Sequence, residues 1–501
     1  MARSLMVWGS SSGAGKSLLT TALCRCAAQR GIDVAPFKAQ NMSNNARVVP
    51  SLQDAGAGFA EIGAAQYFQA LAARVTPTVD MNPVLLKPER DTASQVVLQG
   101  HVAEHLSRMA WRERSDHLAL AARESFLRLG KQHELLVIEG AGSPAEINLA
   151  PHDYVNLGTA RWARAAGDFQ SLVVTDIDRG GAFAHLYGTW ALLPDDLKPT
   201  LAGFVLNKFR GDVTLLAPGP QELERRTGVP VIGVLPMRRD HGLPEEDGVF
   251  DSAATGAADA PALRVAVVAY PRISNLDEFQ PLRQVPGLRL TWARHPGELE
   301  GVDWIILPGS KQVSGDLQWM RARGLDSAIV RHGAGGRRIL GVCGGLQMLG
   351  IWLNDPQGID GAPGSVPGLG LLPLSTRYAL PKRVLAVQTR FAVLRPPWKS
   401  LTDIEAPAYE IRTGVTDLSE AGATSPAAPA SIALRDAQGA AIGWQCGPVL
   451  GVYAHGLFES ASVMRALFGA GVGTLDASLD RLAHLVDTHF APGALDRLLC
   501  R

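Results

Sequence analysis

The residues "LMVWGSSSGAGKSLLTTALCRCAAQRG", Leu5 to Gly31, constrain the fold more than any other stretch of this 501-residue chain. Four apolar residues run into a turn of glycines and serines, and the turn opens a helical run that begins at Lys16 and is closed by Gly31. A strand that delivers glycines to a helix start aims several backbone N–H groups and the positive end of the helix dipole at one point, which is a site for phosphate. The spacing is not the strict G-x-x-x-x-G-K-[ST]. Counting back from Gly15-Lys16-Ser17, the first glycine of that pattern falls on Ser10, and Gly9 stands one place earlier. The loop assigns Gly9, Ser10, Gly13 and Gly15 to nucleotide contacts, Lys16 to the outer phosphates and the Ser17 hydroxyl to Mg²⁺.

The remainder of the first half fits such a loop. Short apolar runs recur as "LLVIEG" at 135, "SLVVTDID" at 171, "LAGFVLN" at 201 and "VPVIGVLP" at 229, with amphipathic stretches between them. Continuous apolar strands separated by helices predict a parallel sheet covered on both faces. One helix is expected over "SDHLALAARESFLRLG", with Ser115 as its cap and Gly130 as its stop. Glu139 ends one strand, and Asp176 and Asp178 end another. Each alone reads as a strand-end solvating group, whereas Ser17, Glu139 and Asp176 together make an oxygen set for Mg²⁺. Asn207, at a third strand end, is placed to read an adenine edge.

Small, flexible residues take over at "DSAATGAADAPA", so the chain divides into residues 1–250, a linker at 251–262 and residues 263–501. A Pro/Ala-rich stretch near 418–430 reads as a surface loop. In the second half, "RRILGVCGGLQMLG" sets Cys343 between an apolar strand and a helix start. Buried structural cysteines are common in α/β cores, but the flanking Gly341, Gly344 and Gly345 favour a strained turn that exposes the sulfur as a nucleophile. His455 in "GVYAHGLFES", beyond another apolar strand, supplies a base. The other cysteines, Cys24, Cys26, Cys446 and Cys500, form no C-x-x-C pair, which excludes a zinc site or disulfide framework of the usual spacing. Lys plus Arg equals Asp plus Glu at 48 each, so no basic excess points to nucleic acid. No apolar run nears the ~18 residues of a membrane span, and the N-terminal run is too short for a signal peptide. A cytoplasmic protein is expected, with no nucleic-acid or membrane partner; a homo-oligomer is compatible with the sequence.

Several motifs carry resemblances to known families. The longer spacing in "GSSSGAGKS" resembles the loop of dethiobiotin synthetase and its relatives, which phosphorylate carboxyl-type groups; Ser11 stands where partitioning ATPases have an extra lysine. The Cys343 and His455 blocks resemble the class I glutamine amidotransferases. That resemblance implies an oxyanion hole from Gly344, with a second donor in "LPGSK" near Gly309. The acid two residues after the histidine is absent, since Leu457 stands there, and Glu459 has no assigned part. Taken in order, "FKAQNMSNN", "VDMNPVLLKPE", "EGAGSPAEINL", "DIDRGGAFAHLYGT", "YPRISNLDEFQPL", "LPGSKQVSGDL" and "GLGLLP" resemble the cobyric acid synthase family from Leu5 to about Phe458. "AYEIRTG" departs from that family's usual "GYEIHMG" at Ala408 and Arg412.

The resemblance implies a dethiobiotin-synthetase-like P-loop domain with a parallel sheet, followed by a flavodoxin-like class I amidotransferase domain. It further implies ATP, Mg²⁺ and glutamine as reactants and a corrinoid substrate, adenosylcobyrinic acid a,c-diamide, amidated at its b, d, e and g carboxylates. Lys38, Gln40, Asn41, Asn44 and Asn45 are the expected substrate contacts. Cobyrinic acid a,c-diamide synthase shares both domain types but carries a "GPDYIDP"-like segment where this chain has "AQNMSNN". A P-loop ATPase switch with a non-hydrolytic partner-binding domain would have no use for the Cys343 and His455 pair. The chemistry is coherent: a carboxylate becomes an acyl donor only after phosphorylation, and ammonia made from glutamine within the chain avoids the protonation that dominates in solution at pH 7.

Overall fold

The side chains of the first strand, Arg3–Gly9 (β1), alternate between two apolar layers, as the pleat requires. Met6 and Trp8 join one layer, with Phe37, Phe126, Ile138 and Phe204; Leu5 and Val7 join the other, with Leu23, Val137, Val174 and Val205. The structure, a computed structural model, describes residues 1–51, 58–90, 93–238, 263–419, 429–469 and 473–500. The expected linker at 251–262 and residues 420–428 of the expected surface loop lie outside them. Among the described residues no helix is long and apolar enough to cross a membrane.

The chain forms two units. In the first, β1 is followed by the helix Lys16–Gln29 (α1), the strand Val34–Phe37 (β2), the long helix Trp111–Gln132 (α2) and the strands Leu135–Glu139 (β3), Phe169–Asp176 (β4), Leu201–Phe209 (β5) and Val231–Pro236 (β6). They make one six-stranded sheet in the order β6-β5-β4-β1-β3-β2, parallel throughout, as the apolar runs predict. The helix α2 corrects one expectation. It starts four residues before Ser115 and runs past Gly130; Ser115 lies inside it and donates its hydroxyl to the Trp111 carbonyl at 2.8 Å. A serine that bonds back one turn satisfies itself within a helix as readily as it caps one. A smaller sheet pairs Gln40–Met42 in parallel with Val84–Arg90, and carries the amide-rich loop.

A second correction concerns the tail. The contacts place Leu475–Arg501 in the first unit, not in a domain that runs from 263 to 501, and place Asn44–Val48 in the second. The helices Leu475–His489 and Ala494–Leu499 cover the α1 face of the parallel sheet through Leu479, Leu482, Val486 and Leu498. At about 1.5–3 kcal/mol for each such side chain, this burial contributes roughly 6–12 kcal/mol before ordering entropy. Arg25 of α1, fully buried, pairs with Asp476 at 2.6 Å and Asp480 at 2.8 Å. The tail therefore completes the layer that the phosphate-loop helix only half covers.

In the second unit the strands are Leu263–Val268 (β7), Leu288–Ala293 (β8), Trp304–Leu307 (β9), Arg338–Val342 (β10), Arg383–Phe391 (β11), Glu405–Arg412 (β12), Ser431–Asp436 (β13), Ala441–Cys446 (β14) and Val449–Val452 (β15). They form a nine-stranded sheet in the order β8-β7-β9-β10-β15-β14-β13-β11-β12. The pairs from β8 to β15 are parallel and those from β15 to β12 antiparallel. Because β10 and β15 are parallel neighbours with Val342 opposite Val452, the residues that follow them emerge at the same edge of the sheet. Open α/β sheets place their ligand sites at that edge.

Candidate active sites of the two units

In the first unit the loop after β1 is shaped by close approaches. A Cβ on Gly9 would fall 2.8 Å from the Ser11 carbonyl oxygen and 2.9 Å from Lys16 Nζ. The displaced glycine is thus where the lysine side chain folds over the loop, and Nζ donates to the Ser11 and Gly142 carbonyls, both at 3.1 Å. Gly15 has φ 105°, and a side chain there would collide with Asn207. Asn207 donates Nδ2 to the Ala14 carbonyl at 3.0 Å, so its amide supports the loop. Ser10 bonds through its hydroxyl to Thr175 at 2.7 Å, and Gly13, at φ 69°, gives its carbonyl to Lys208 Nζ at 3.0 Å.

Glu139, at the end of β3, is fully buried and is the hub of this site. Its Oε1 accepts from Ser17 Oγ at 2.9 Å and from Lys38 Nζ at 2.9 Å, and its Oε2 accepts from Gln69 Nε2. The 2.9 Å between Ser17 and Glu139 is a hydrogen bond, and it brings two oxygen donors of the type Mg²⁺ prefers to one place. A hydroxyl and a carboxylate so placed, beside a phosphate loop, fit that ion. Asp176 is engaged differently: it pairs with Lys208 at 3.1 Å and Arg179 at 3.3 Å, and accepts from the Asp178 N–H at 3.0 Å. Asp178 in turn pairs with Arg210.

Of the amide-rich loop, Lys38 reaches Glu139, and Gln40 accepts from the Tyr154 hydroxyl at 2.6 Å. Asn41 accepts from Met42 N–H, and its buried Nδ2 has no hydrogen-bond partner among the described residues. Asn44 and Asn45 belong to the second unit, where Asn45 Oδ1 accepts from the Leu276 N–H at 3.1 Å. This division is not legible in the sequence, because residues 37–45 are consecutive and carry no glycine or proline between the two parts.

In the second unit Cys343 sits between β10 and the short helix Gly344–Leu349 (α3), with φ 53° and ψ −106°. That backbone is strained for a residue with a side chain, and the packing that holds it leaves no room for neighbouring side chains. A Cβ on Gly345 would lie 1.9 Å from the Leu307 carbonyl oxygen, and one on Gly344 would lie 2.8 Å from the Ser310 nitrogen. A Cβ on Gly309 would come within 3.2 Å of the His455 ring. Cys343, Gly344, the Gly309–Ser310 strand and His455 therefore meet at one point.

His455 is 1% exposed. Its Nδ1 hydrogen-bonds to Glu278 Oε1 at 2.9 Å, and Glu278 Oε2 accepts the Gly456 N–H at 3.1 Å. With Nδ1 so occupied, the ring's hydrogen bond to Cys343 falls to Nε2. Burial pushes the imidazole pKa down, but the Glu278 carboxylate and the Cys343 sulfur outweigh it and raise it to about 10. A histidine held as imidazolium beside a cysteine favours the thiolate. Glu278 is the residue that sequence reasoning missed. It lies in "YPRISNLDEFQPL", 177 positions before the histidine, and no spacing rule joins the two; Glu459, nearer in sequence, pairs with Arg47 instead. Arg412, one of the two departures in "AYEIRTG", stacks 4.0 Å over Tyr453 and donates to Glu410 at 2.6 Å.

Comparison with known proteins gives a family for each unit and for the whole chain. Residues 5–248 match the model of the CobQ/CobB/MinD/ParA nucleotide binding domain, and residues 264–463 that of the CobB/CobQ-like glutamine amidotransferase domain. The chain is 58% identical to a cobyric acid synthase of Methylibium petroleiphilum, over 99% of this chain and 97% of the relative. It is 58% identical to that of Paracidovorax citrulli, over 98% of each, and 57% identical to that of Leptothrix cholodnii, over 99% and 97%. A nucleotide-binding domain, a glutamine amidotransferase domain and relatives matched from end to end place the chain in the cobyric acid synthase family of glutamine-dependent amidoligases.

Proposed function

We propose that the protein amidates the b, d, e and g carboxylates of adenosylcobyrinic acid a,c-diamide, giving adenosylcobyric acid, with ATP as activator and glutamine as nitrogen donor. The observation that carries this reading is the Cys343–His455–Glu278 relay in a chain whose other unit brings Ser17 and Glu139 together beside a phosphate loop. Neither site alone makes an amide from an acid.

In the glutaminase unit, Glu278 fixes the ring of His455, and His455 holds Cys343 as thiolate. The sulfur attacks the side-chain carbonyl of glutamine, Gly344 and Gly309 present N–H groups to the oxyanion, and His455 gives its proton to the departing ammonia. Water then releases glutamate. In the nucleotide unit, the loop of Gly9, Ser10, Gly13 and Gly15 holds the phosphates of ATP, Lys16 offsets their charge, and Asn207 Oδ1 accepts from the adenine amino group. Ser17, Glu139 and, from the strand end on the other side of β1, Asp176 would hold Mg²⁺, which when bound neutralises charge on the transferred phosphoryl group. Transfer to a substrate carboxylate leaves an acyl phosphate, which ammonia converts to the amide with loss of phosphate.

Lys38, Gln40 and Asn41 contact the acidic and amidated side arms of the corrinoid; the buried, unpartnered Asn41 Nδ2 supports this. Asn44 and Asn45, in the second unit, are left out of that contact set. The test incubates the protein with ATP, Mg²⁺, glutamine and either the a,c-diamide or the undecorated acid, and counts acid-to-amide conversions by mass. Four conversions on the a,c-diamide are expected. Activity on the undecorated acid alone would overturn the substrate assignment.

A further inference from the structure

We infer that Arg47, although it lies in the nucleotide-binding half of the sequence, is a positioning residue of the glutaminase, holding His455 in line through Tyr409 and the helix that carries Glu278. The inference rests on the glutaminase reading of Cys343 and His455. Asn44–Val48 packs as part of the second unit. It is pinned there by two adjacent residues: Asn45 Oδ1 accepts from the Leu276 N–H, and the Ala46 N–H donates to Asn275 Oδ1 at 3.4 Å. These bonds fix the backbone from which the Arg47 side chain starts.

That side chain, 1% exposed, touches Tyr409, which flanks the His455 ring, and Asp277, which adjoins the histidine's partner Glu278 in the chain. Its Nη1 donates to the Tyr409 hydroxyl at 2.7 Å, and its guanidinium lies 5.0 Å from the centre of the same ring. Tyr409 stacks on the His455 imidazole with centroids 5.3 Å apart and planes 18° from parallel. The two residues also exchange backbone hydrogen bonds, His455 N–H to Tyr409 at 2.9 Å and Tyr409 N–H to His455 at 3.3 Å. Nη2 of Arg47 pairs with the carboxylates of Asp277 and Glu459. Asp277 precedes Glu278, so the arginine anchors the 3₁₀ helix Leu276–Gln284 that presents Glu278 to Nδ1. Arg47 meets none of the reacting atoms. It fixes one face of the imidazole and the partner of one nitrogen, which leaves Nε2 a single direction, toward Cys343.

The charges agree with this placement. Among the described residues the carboxylates of Asp277, Glu278 and Glu459 lie about the His455 imidazolium and the Arg47 guanidinium, with Tyr409, Tyr270 and Cys343 as further titratable neighbours. Burial raises the carboxyl groups of Asp277 and Glu459, and Arg47 opposes that rise. Only a permanently charged, planar, multidentate group can face an aromatic ring and two carboxylates together.

The test compares Arg47→Ala, Arg47→Lys and Tyr409→Phe with the parent full-length protein, with Cys343→Ala as a control for the underlying glutaminase reading. Glutamine hydrolysis and ammonia-supported amidation are both measured. Arg47→Ala is expected to lower the glutaminase kcat about 10- to 100-fold, the range typical of residues that orient catalytic ligands, with a change of no more than about threefold in KM for glutamine. Its alkaline limb should move to lower pH, and ammonia-supported amidation should stay near the parent rate. Arg47→Lys should recover part of kcat, and Tyr409→Phe, which keeps the stack but loses the hydroxyl, should fall between. Should Arg47→Ala fail to fold, the Lys and Phe variants carry the test through the same kcat and pH readouts. Parental kcat and pH profile in soluble Arg47 variants, with Cys343→Ala inactive, would overturn this inference alone; glutaminase activity surviving in Cys343→Ala would overturn the reading beneath it.

Discussion

At the scale of single residues, the proposed glutaminase mechanism depends on three side chains, Cys343, His455 and Glu278, which the structure brings together. Cys343→Ala is expected to abolish glutamine-supported amidation while ammonia at high concentration still supports it; equal loss of both routes would show that the sulfur has another task. Glu278→Gln keeps the shape of the carboxylate but removes its charge, and should lower glutaminase kcat by about 10²–10⁴-fold. The pH dependence has a definite sign. His455 titrates above its ordinary 6.5, near 10, so its stabilising contribution is complete below pH 6.5 and is lost as pH rises through about 10. Without the Glu278 charge less opposes the effect of burial, and the alkaline limb of glutamine hydrolysis should shift toward neutral pH. Cys343 and His455 were legible in the sequence because each sits in its own strand-to-turn block. Glu278 was not, because the helix that carries it comes from a different part of the chain.

At the scale of elements, two strand-to-helix turns do the chemical placing, and both are written in consecutive residues. Gly9 admits the folded Lys16 side chain, and Gly345 admits the Leu307 carbonyl; a local pattern of glycines is enough to announce both. The helix ends were less legible. Ser115 and Gly130 carry terminal signals yet lie within α2, since one serine bonding back a turn and one glycine cost little against the packing of Leu118, Phe126 and Leu129. The tail helices were not legible as part of the nucleotide unit at all: an amphipathic helix states that it has a buried face but not what covers it. Leu482→Ala should destabilise that unit by about 2–5 kcal/mol, the usual cost of such a truncation in a core. The urea transition that ATP shifts upward identifies the nucleotide unit, and a mutation that moves only the other transition would contradict the assignment of the tail.

At the scale of the whole molecule, two activities are needed for one product, and they should be separable. Lys16→Ala is expected to remove amidation with glutamine and with ammonia alike, because both nitrogen routes need an activated carboxylate, while alkylation of Cys343 by a glutamine-analogue electrophile proceeds. Loss of that alkylation would mean that the phosphate loop also governs the thiol. The sequence by itself determined the two strand–turn–helix units, the parallel sheet behind the first and the positions of Cys343 and His455 after apolar strands in the second. These depend on neighbours in the chain and on the periodicity of apolar residues. Only the tertiary structure decided that Glu278 orients His455, that Asp476 and Asp480 close over Arg25, and that Arg47 belongs with Tyr409. Those partners are 177, 451, 455 and 362 positions apart. A buried charge needs a partner wherever the fold can bring one, and sequence spacing sets no limit on where that is.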